Sequence, residues 1–159
     1  MLASDIMRPR QRLVTVLPDA SLEDVIYRFD NSVSLSRLIY VVDEEDRLLG
    51  VVGAADILSL LLPLSGPESA GSPPDRDAFQ QELNARIRKH RDLPASRFMH
   101  NDFPSVRPDE PFARAAELML SRGFTAMPVL DPDGTLAGEI TRRLILRFTA
   151  HAVLHAPPS

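Results

Sequence analysis

The sequence predicts a mixed α/β (α+β) fold built from one β-α-β-β-α unit used twice, and three observations carry that prediction. The first is repetition. Residues 3–62 contain ASDIM, VLPDASLEDVI and LIYVVDEEDRLLGVVGAADIL, and residues 95–148 answer in the same order with ASRFM, SVRPDEPFARAAELML and AMPVLDPDGTLAGEITRRLIL. Self-similarity on this scale marks a duplicated supersecondary unit, so a site is expected where the copies meet. The second observation is that apolar spacing within each copy switches between helical and extended periods. The third is turn chemistry at matching places in both copies.

In the first copy, Pro18 and Asp19 close a short extended run. Ser21 is placed to cap the helix LEDVIYRF, whose Leu22, Val25, Ile26 and Phe29 recur at helical spacing. Leu38 to Val42 and Leu48 to Val52 flank the acidic turn DEED and read as a hairpin. Asp56 caps or opens a second helix, DILSLLL, which Pro63 stops. In the second copy, Pro108 and Asp109 precede a helix over Phe112 to Arg122, ended by Gly123 where a left-handed residue is usual. Met127 to Leu130 and Leu136 to Ile140 are strands around the turn DPDG, and a last helix runs from Arg142 towards His155.

The chain thus divides into a first repeat over 1–62, a connector over 63–74, a helix over 75–92, and a second repeat with a helical extension over 93–159. The connector PLSGPESAGSPPD is too rich in Pro, Ser and Gly to bury much and reads as flexible. In the helix, Phe79, Leu83 and Ile87 form a stripe between an acidic start and a basic end, as the helix dipole prefers. That stripe serves either packing on one copy or docking of a partner or second subunit.

Composition narrows the function classes. A chain of 159 residues buries roughly 68–70% of its unfolded surface, enough for one domain or two half-domains sharing a core. Net charge −4 provides no basic footprint, so nucleic acid is not an expected partner. Absence of cysteine excludes disulfides and thiolate-ligated metals. The start MLASDIMRPRQR has no signal-like apolar stretch and no segment approaches the roughly 20 apolar residues of a span, so a cytoplasmic protein without membrane contact is expected. No nucleophile with its base, carboxylate pair or metal cluster stands at a catalytic spacing, so no enzyme is expected. His151 and His155 share a helix face but lack the Glu of H-E-x-x-H, the turn Asp43 to Asp46 lacks calcium-loop spacing, and no metal is expected. His90 and His100 read as solvent-facing.

Taken in order and twice, the M-x(n)-V-x-P-D opening, the x-P-V-x-D-x-x-G hairpin and the closing G-x-[IV]-T-x-x-D pattern resemble a tandem pair of CBS domains. These are the regulatory modules named after cystathionine β-synthase, and the resemblance covers residues 3–62 and 95–148. It implies two β-α-β-β-α units packed across a pseudo-twofold axis with two clefts, often filled by adenosine-containing ligands, and usual assembly into flat dimers. It also implies that a Thr or Ser before the second helix bonds phosphate, while an Asp three residues later accepts from the ribose hydroxyls. An ionised carboxylate suits paired O–H donors and a helix N-terminus suits phosphate.

Carried over by position, GVVGAAD keeps Asp56 but has Gly53 at the hydroxyl place, and GEITRRL keeps Thr141 but has Leu144 at the carboxylate place. A charge-assisted ribose contact contributes about 1.5–3 kcal/mol, so the Asp56 cleft is expected to be the better nucleotide site. Its carboxylate is expected to be exposed and to matter little for folding, and Gly53 to offer its N–H. The candidate ligand-binding set is Asp56, Gly53, Arg37, Leu38, Tyr40, Thr15, Thr141 and Arg142. Arg37, Arg142 and Arg143 neutralise phosphate or are solvated surface. Tyr40, at the place of Pro128, is either a half-buried strand aromatic or a stacking face for adenine.

Two functions follow. One is a stand-alone regulatory module that senses an adenosine nucleotide, S-adenosylmethionine or NAD as regulatory ligand, with no other cofactor, and signals to an unidentified protein partner. The alternative is a ligand-independent dimeric interaction module. In both, DILSLLL and LILRFTAHAVL carry more apolar surface than two small cores cover, so a homodimer is expected.

Overall fold

The computed structural model describes residues 1–31, 38–63 and 75–158. In chain order these form α1 (Ala3–Ile6), β1 (Arg8–Pro9), β2 (Thr15–Val16), α2 (Leu22–Asn31), β3 (Leu38–Val42), β4 (Leu48–Gly53), α3 (Ala54–Leu61), α4 (Arg76–His90), α5 (Phe112–Arg122), β5 (Ala126–Leu130), β6 (Leu136–Thr141) and α6 (Arg142–Leu154). The connector residues 64–74 lie outside the described residues, and so does Arg37.

Local chemistry sets the helix limits. The Ser21 hydroxyl accepts the Asp24 N–H at 3.2 Å, satisfying one of the donors that the first turn of α2 leaves open. Gly123, at φ 75°, stops α5 in the left-handed region as its position suggested. The hairpins β3–β4 and β5–β6 carry an irregularity at the same place, between Val41 and Val42 and between Val129 and Leu130. Their turns also match, with positive φ at Asp46 and Gly134. An Asp can hold this conformation because its short side chain finds a partner: Asp46 takes a bidentate contact from Arg10 at 2.7–3.0 Å.

The two three-stranded sheets have orders β2-β3-β4 and β1-β6-β5. This is a duplicated fold with its openings exchanged, a feature that the repeats alone do not reveal. β1 comes from the first copy but pairs antiparallel with β6 of the second, with Arg8 opposite Glu139 and Pro9 opposite Gly138. In return, His100 pairs with Val51 of β4 through bonds of 2.9 and 3.0 Å. The docking bonds are duplicated too. Ala3 and Ser4 N–H groups donate to the Glu110 and Pro108 carbonyls, as Ala95 and Ser96 donate to those of Ala20 and Pro18. In the second copy the opening strand is reduced to one parallel bridge, Val106 to Val129.

The exchange completes both cores. Ala95 and Phe98 pack among Leu22, Val25, Ile39 and Val52 of the first half, and Ala3 packs among Ala115, Met119, Met127 and Ile140 of the second. Each large apolar side chain so buried contributes about 1.5–3 kcal/mol. Gly50 and Gly138 permit the close approach: a Cβ at 50 would stand 2.5 Å from Met99 Sδ, and one at 138 would stand 2.8 Å from Met7 Sδ and overlap the Arg8 carbonyl. A third cluster, Leu13, Tyr40, Val42, Val51 and Leu136, forms the seam between halves. There the hairpin turns exchange paired bonds, Leu48 N–H to the Gly134 carbonyl and Leu136 N–H to that of Asp46, both 3.0 Å.

Between the copies, α4 lies against α3, and Arg86 donates to the Leu62 carbonyl at 3.3 Å. Of its stripe, Ile87 lies partly exposed beside Leu22, Ile26 and Leu61 of the first copy. Among the described residues, no helix is long and apolar enough to cross a membrane.

Candidate functional site

The places of the split Thr and Asp follow directly from the two β-to-α junctions, and they differ in charge. At the second junction Thr141 is the N-cap of α6, its hydroxyl accepting the Leu144 N–H at 3.2 Å. A hydroxyl that accepts in this way keeps its proton to donate. Beside it opens a cavity of about 510 Å³, lined by the guanidinium-bearing Arg8, Arg142 and Arg143, the hydroxyls of Thr125 and Thr141, and the apolar Ala126 and Leu146. Among the described residues, no carboxylate lines it. Three arginines beside the start of a 13-residue helix, where the helix dipole adds positive potential, suit an anion. Arg142 is braced by a 3.1 Å bond to the Met119 carbonyl.

At the first junction Asp56 lies in the first turn of α3 and is not the exposed, idle carboxylate that the sequence suggests. Its Oδ2 accepts the Gly53 N–H at 2.7 Å, so the amide expected to meet a ligand already caps the helix. The same oxygen stands 3.0 Å from His100 Nδ1, on the exchanged opening of the second copy. His100, read as solvent-facing, is half-buried and belongs to this cleft. Leu38 sits opposite Gly53 in the hairpin and completes the cluster.

Two further candidates fall elsewhere. Thr15 lines a separate groove of about 680 Å³ with Asp19, Asp24, Asp43, Glu44 and Asp46, where its hydroxyl accepts from Arg10 at 3.2 Å. Tyr40 is fully buried and has no face for a base to stack on. Its hydroxyl donates to Glu139 Oε1 at 2.7 Å, across the seam. Burial, and then the Glu139 carboxylate, push the phenol well above its ordinary pKa, so Tyr40 remains a donor.

Glu139 is the residue that sequence reasoning missed. It is 0% exposed on β6, and Arg8 Nη1 lies 3.6 Å from its Oε2. A carboxylate taken out of water is tolerated only with such charged and hydrogen-bonded company. The signal was present, a lone acid inside the strand LAGEIT at the place where the first copy has Val51.

A family model described as the CBS domain matches residues 3–63 and 95–151. The CBS domain-containing protein CBSX2, chloroplastic, from Arabidopsis thaliana is 31% identical over 148 residues, which is 90% of this chain and 61% of that protein. The chain therefore spans about 61% of the length of this curated relative. The crystal structure of CBSX2 in complex with AMP superposes with a TM-score of 0.71 at 27% identity, covering 96% of this chain and 98% of that one. The cytosolic domain of the Mg2+ channel MgtE in complex with ATP gives 0.65 at 25% identity, over 92% and 48% of the two chains.

Proposed function

We propose that this chain, which belongs to the CBS domain family, is a regulatory module that holds the phosphate of an adenosine-type ligand in the Thr141 cavity and passes the binding event to a protein partner. Domains of this family regulate rather than catalyse. The observation that carries the reading is the lining: three arginines and a capping threonine at a helix start, with no acidic residue among the described ones. The AMP bound by CBSX2 and the ATP bound by the MgtE domain support an adenine nucleotide as the ligand class. The Asp56 cleft is the weaker phosphate site, because Oδ2 is engaged by Gly53 and His100.

A thermal-shift series over adenosine, AMP, ATP, S-adenosylmethionine and NAD tests this. A ligand at 100 times its Kd adds about 2.7 kcal/mol through mass action, or about 5–10 °C in melting temperature for a chain of this size. Arg143→Ala should remove most of that rise without lowering the basal melting point. Asp56→Ala should keep the rise but lose about 0.5–2 kcal/mol of basal stability, the usual worth of a helix cap. If Asp56→Ala abolishes the rise and Arg143→Ala does not, the ligand sits in the first cleft. A protein that no compound stabilises supports the second reading, an interaction module, which the division of Thr141 and Asp56 between clefts favours.

Both readings call for a second subunit. Leu146, Val153 and Leu154 on α6 are 67%, 70% and 79% exposed, and Leu120 on α5 is similarly bare. Apolar surface gathered on two helices that touch fits a twofold homodimer. Light scattering at micromolar protein should return twice the chain mass; a monomer there counts against the assembly.

A further inference from the structure

We infer that Arg8 is a shared cation, lying between the anion cavity and the buried Glu139, and that it transmits ligand binding to the seam between the two halves. The inference rests on the cavity reading above and names how that site is read out. Arg8 faces Glu139 directly in the β1–β6 ladder, so their side chains share one face of the sheet. At 3.6 Å the pair is an ion pair longer than a hydrogen bond, and Arg8 is also one of the residues that line the cavity. The Arg8 side chain is 19% exposed, whereas that of Glu139 is fully enclosed. An anion entering the cavity competes with Glu139 for this cation. Glu139 then leans more on the Tyr40 hydroxyl, whose 2.7 Å bond joins β6 of one half to β3 of the other.

The arrangement occurs once in a fold that is otherwise duplicated. By the repeat register, Tyr40 stands where the second copy has Pro128, and Glu139 where the first has Val51. The opening residue equivalent to Arg8 is His100, which faces Asp56 instead. The first junction, at Asp56, therefore lacks the buried acid that links the Thr141 cavity to the seam.

Coupling of this kind is reciprocal, and it fixes opposite signs for two core substitutions that the ligand does not touch. Glu139→Gln removes the charge that competes with the anion for Arg8 and should tighten ATP binding by about ten-fold, whereas Tyr40→Phe leaves Glu139 more dependent on Arg8 and should weaken it by about as much. A seam that was merely loosened would move both affinities the same way.

A second measurement leaves the core intact. The chain has two tyrosines, and Tyr27 is exposed on α2. In Tyr27→Phe protein labelled with fluorotyrosine, the single fluorine resonance reports Tyr40. Titration with ATP should shift that resonance in step with binding measured by calorimetry, and Arg8→Gln should abolish the shift while weaker binding persists through Arg143. If ATP binds, Arg143→Ala weakens it and the Tyr40 resonance stays still, the relay is wrong and the cavity reading stands. If ATP does not bind, or binds without regard to Arg143→Ala, the cavity reading fails and takes the relay with it.

Discussion

Gly138→Ala should destabilise the protein by about 3 kcal/mol, the upper part of the range for overpacking a closed site, and lower the melting temperature by about 6–12 °C. The new Cβ would overlap the carbonyl oxygen of Arg8 and press on Met7 Sδ at 2.8 Å. A backbone oxygen held in a two-residue strand cannot rotate aside, so β1 must leave β6 and draw α1 off the second core. The equivalent change, Gly50→Ala, should cost much less, about 1 kcal/mol. There the closest atoms are Met99 Sδ and Cγ, at 2.5 and 2.8 Å, which another rotamer moves away, while the His100 carbonyl stands back at 3.1 Å. Thermal melts and amide exchange at residues 3–9 check the pair. Equal losses from the two substitutions would show that the openings are held by side chains rather than by backbone contact.

Leu144→Asp should convert the cavity from a phosphate site into one that also reads ribose. Position 144 lies three residues beyond Thr141, in the first turn of α6, where a carboxylate is favoured by the helix dipole. A charge-assisted contact to ribose hydroxyls contributes about 1.5–3 kcal/mol, which is about 10- to 150-fold in affinity for AMP or ATP. Pyrophosphate has no ribose, and for it the new charge offsets part of the Arg8, Arg142 and Arg143 field, so its affinity should fall. Calorimetry with AMP and pyrophosphate side by side separates the effects. A parallel loss for both would place the ribose away from residue 144.

Much of the fold was legible because its signals are local. Ser21 before α2, Gly123 after α5 and the DPDG turn each fix a boundary through hydrogen bonding or backbone freedom within a few residues, and the structure places all three as read. The exchange of openings was not legible. A two-residue strand such as Arg8–Pro9 has no pattern that says which of two similar sheets it joins. Its trace lay in Gly50 and Gly138, matched glycines inside strands, which mark a close backbone approach.

The site was legible in part, for a similar reason. The division of Thr141 and Asp56 between the copies is a matter of spacing and can be read from the chain. Whether Asp56 is idle or engaged depends on His100, 44 residues away, and whether Tyr40 is a surface or a core group depends on Glu139, 99 residues away. Partners at such separations leave no periodic signal. A lone acid in an apolar strand was the one available warning, since an acid there is seldom buried without a partner.

The exchanged openings also govern the order in which the protein can be finished on the ribosome. The first core includes Ala95 and Phe98, yet its other members, from Val16 to Ile57, are made well before them. At about 5–20 residues per second, the nascent first half waits some seconds for its own last pieces, with Leu22, Ile39 and Val52 lacking part of their cover. The second core waits for nothing, because Ala3 precedes all its other members along the chain. Translation speed through the stretch between the repeats, rather than through either repeat, therefore sets how long a sticky half-module is offered to chaperones and to other nascent chains.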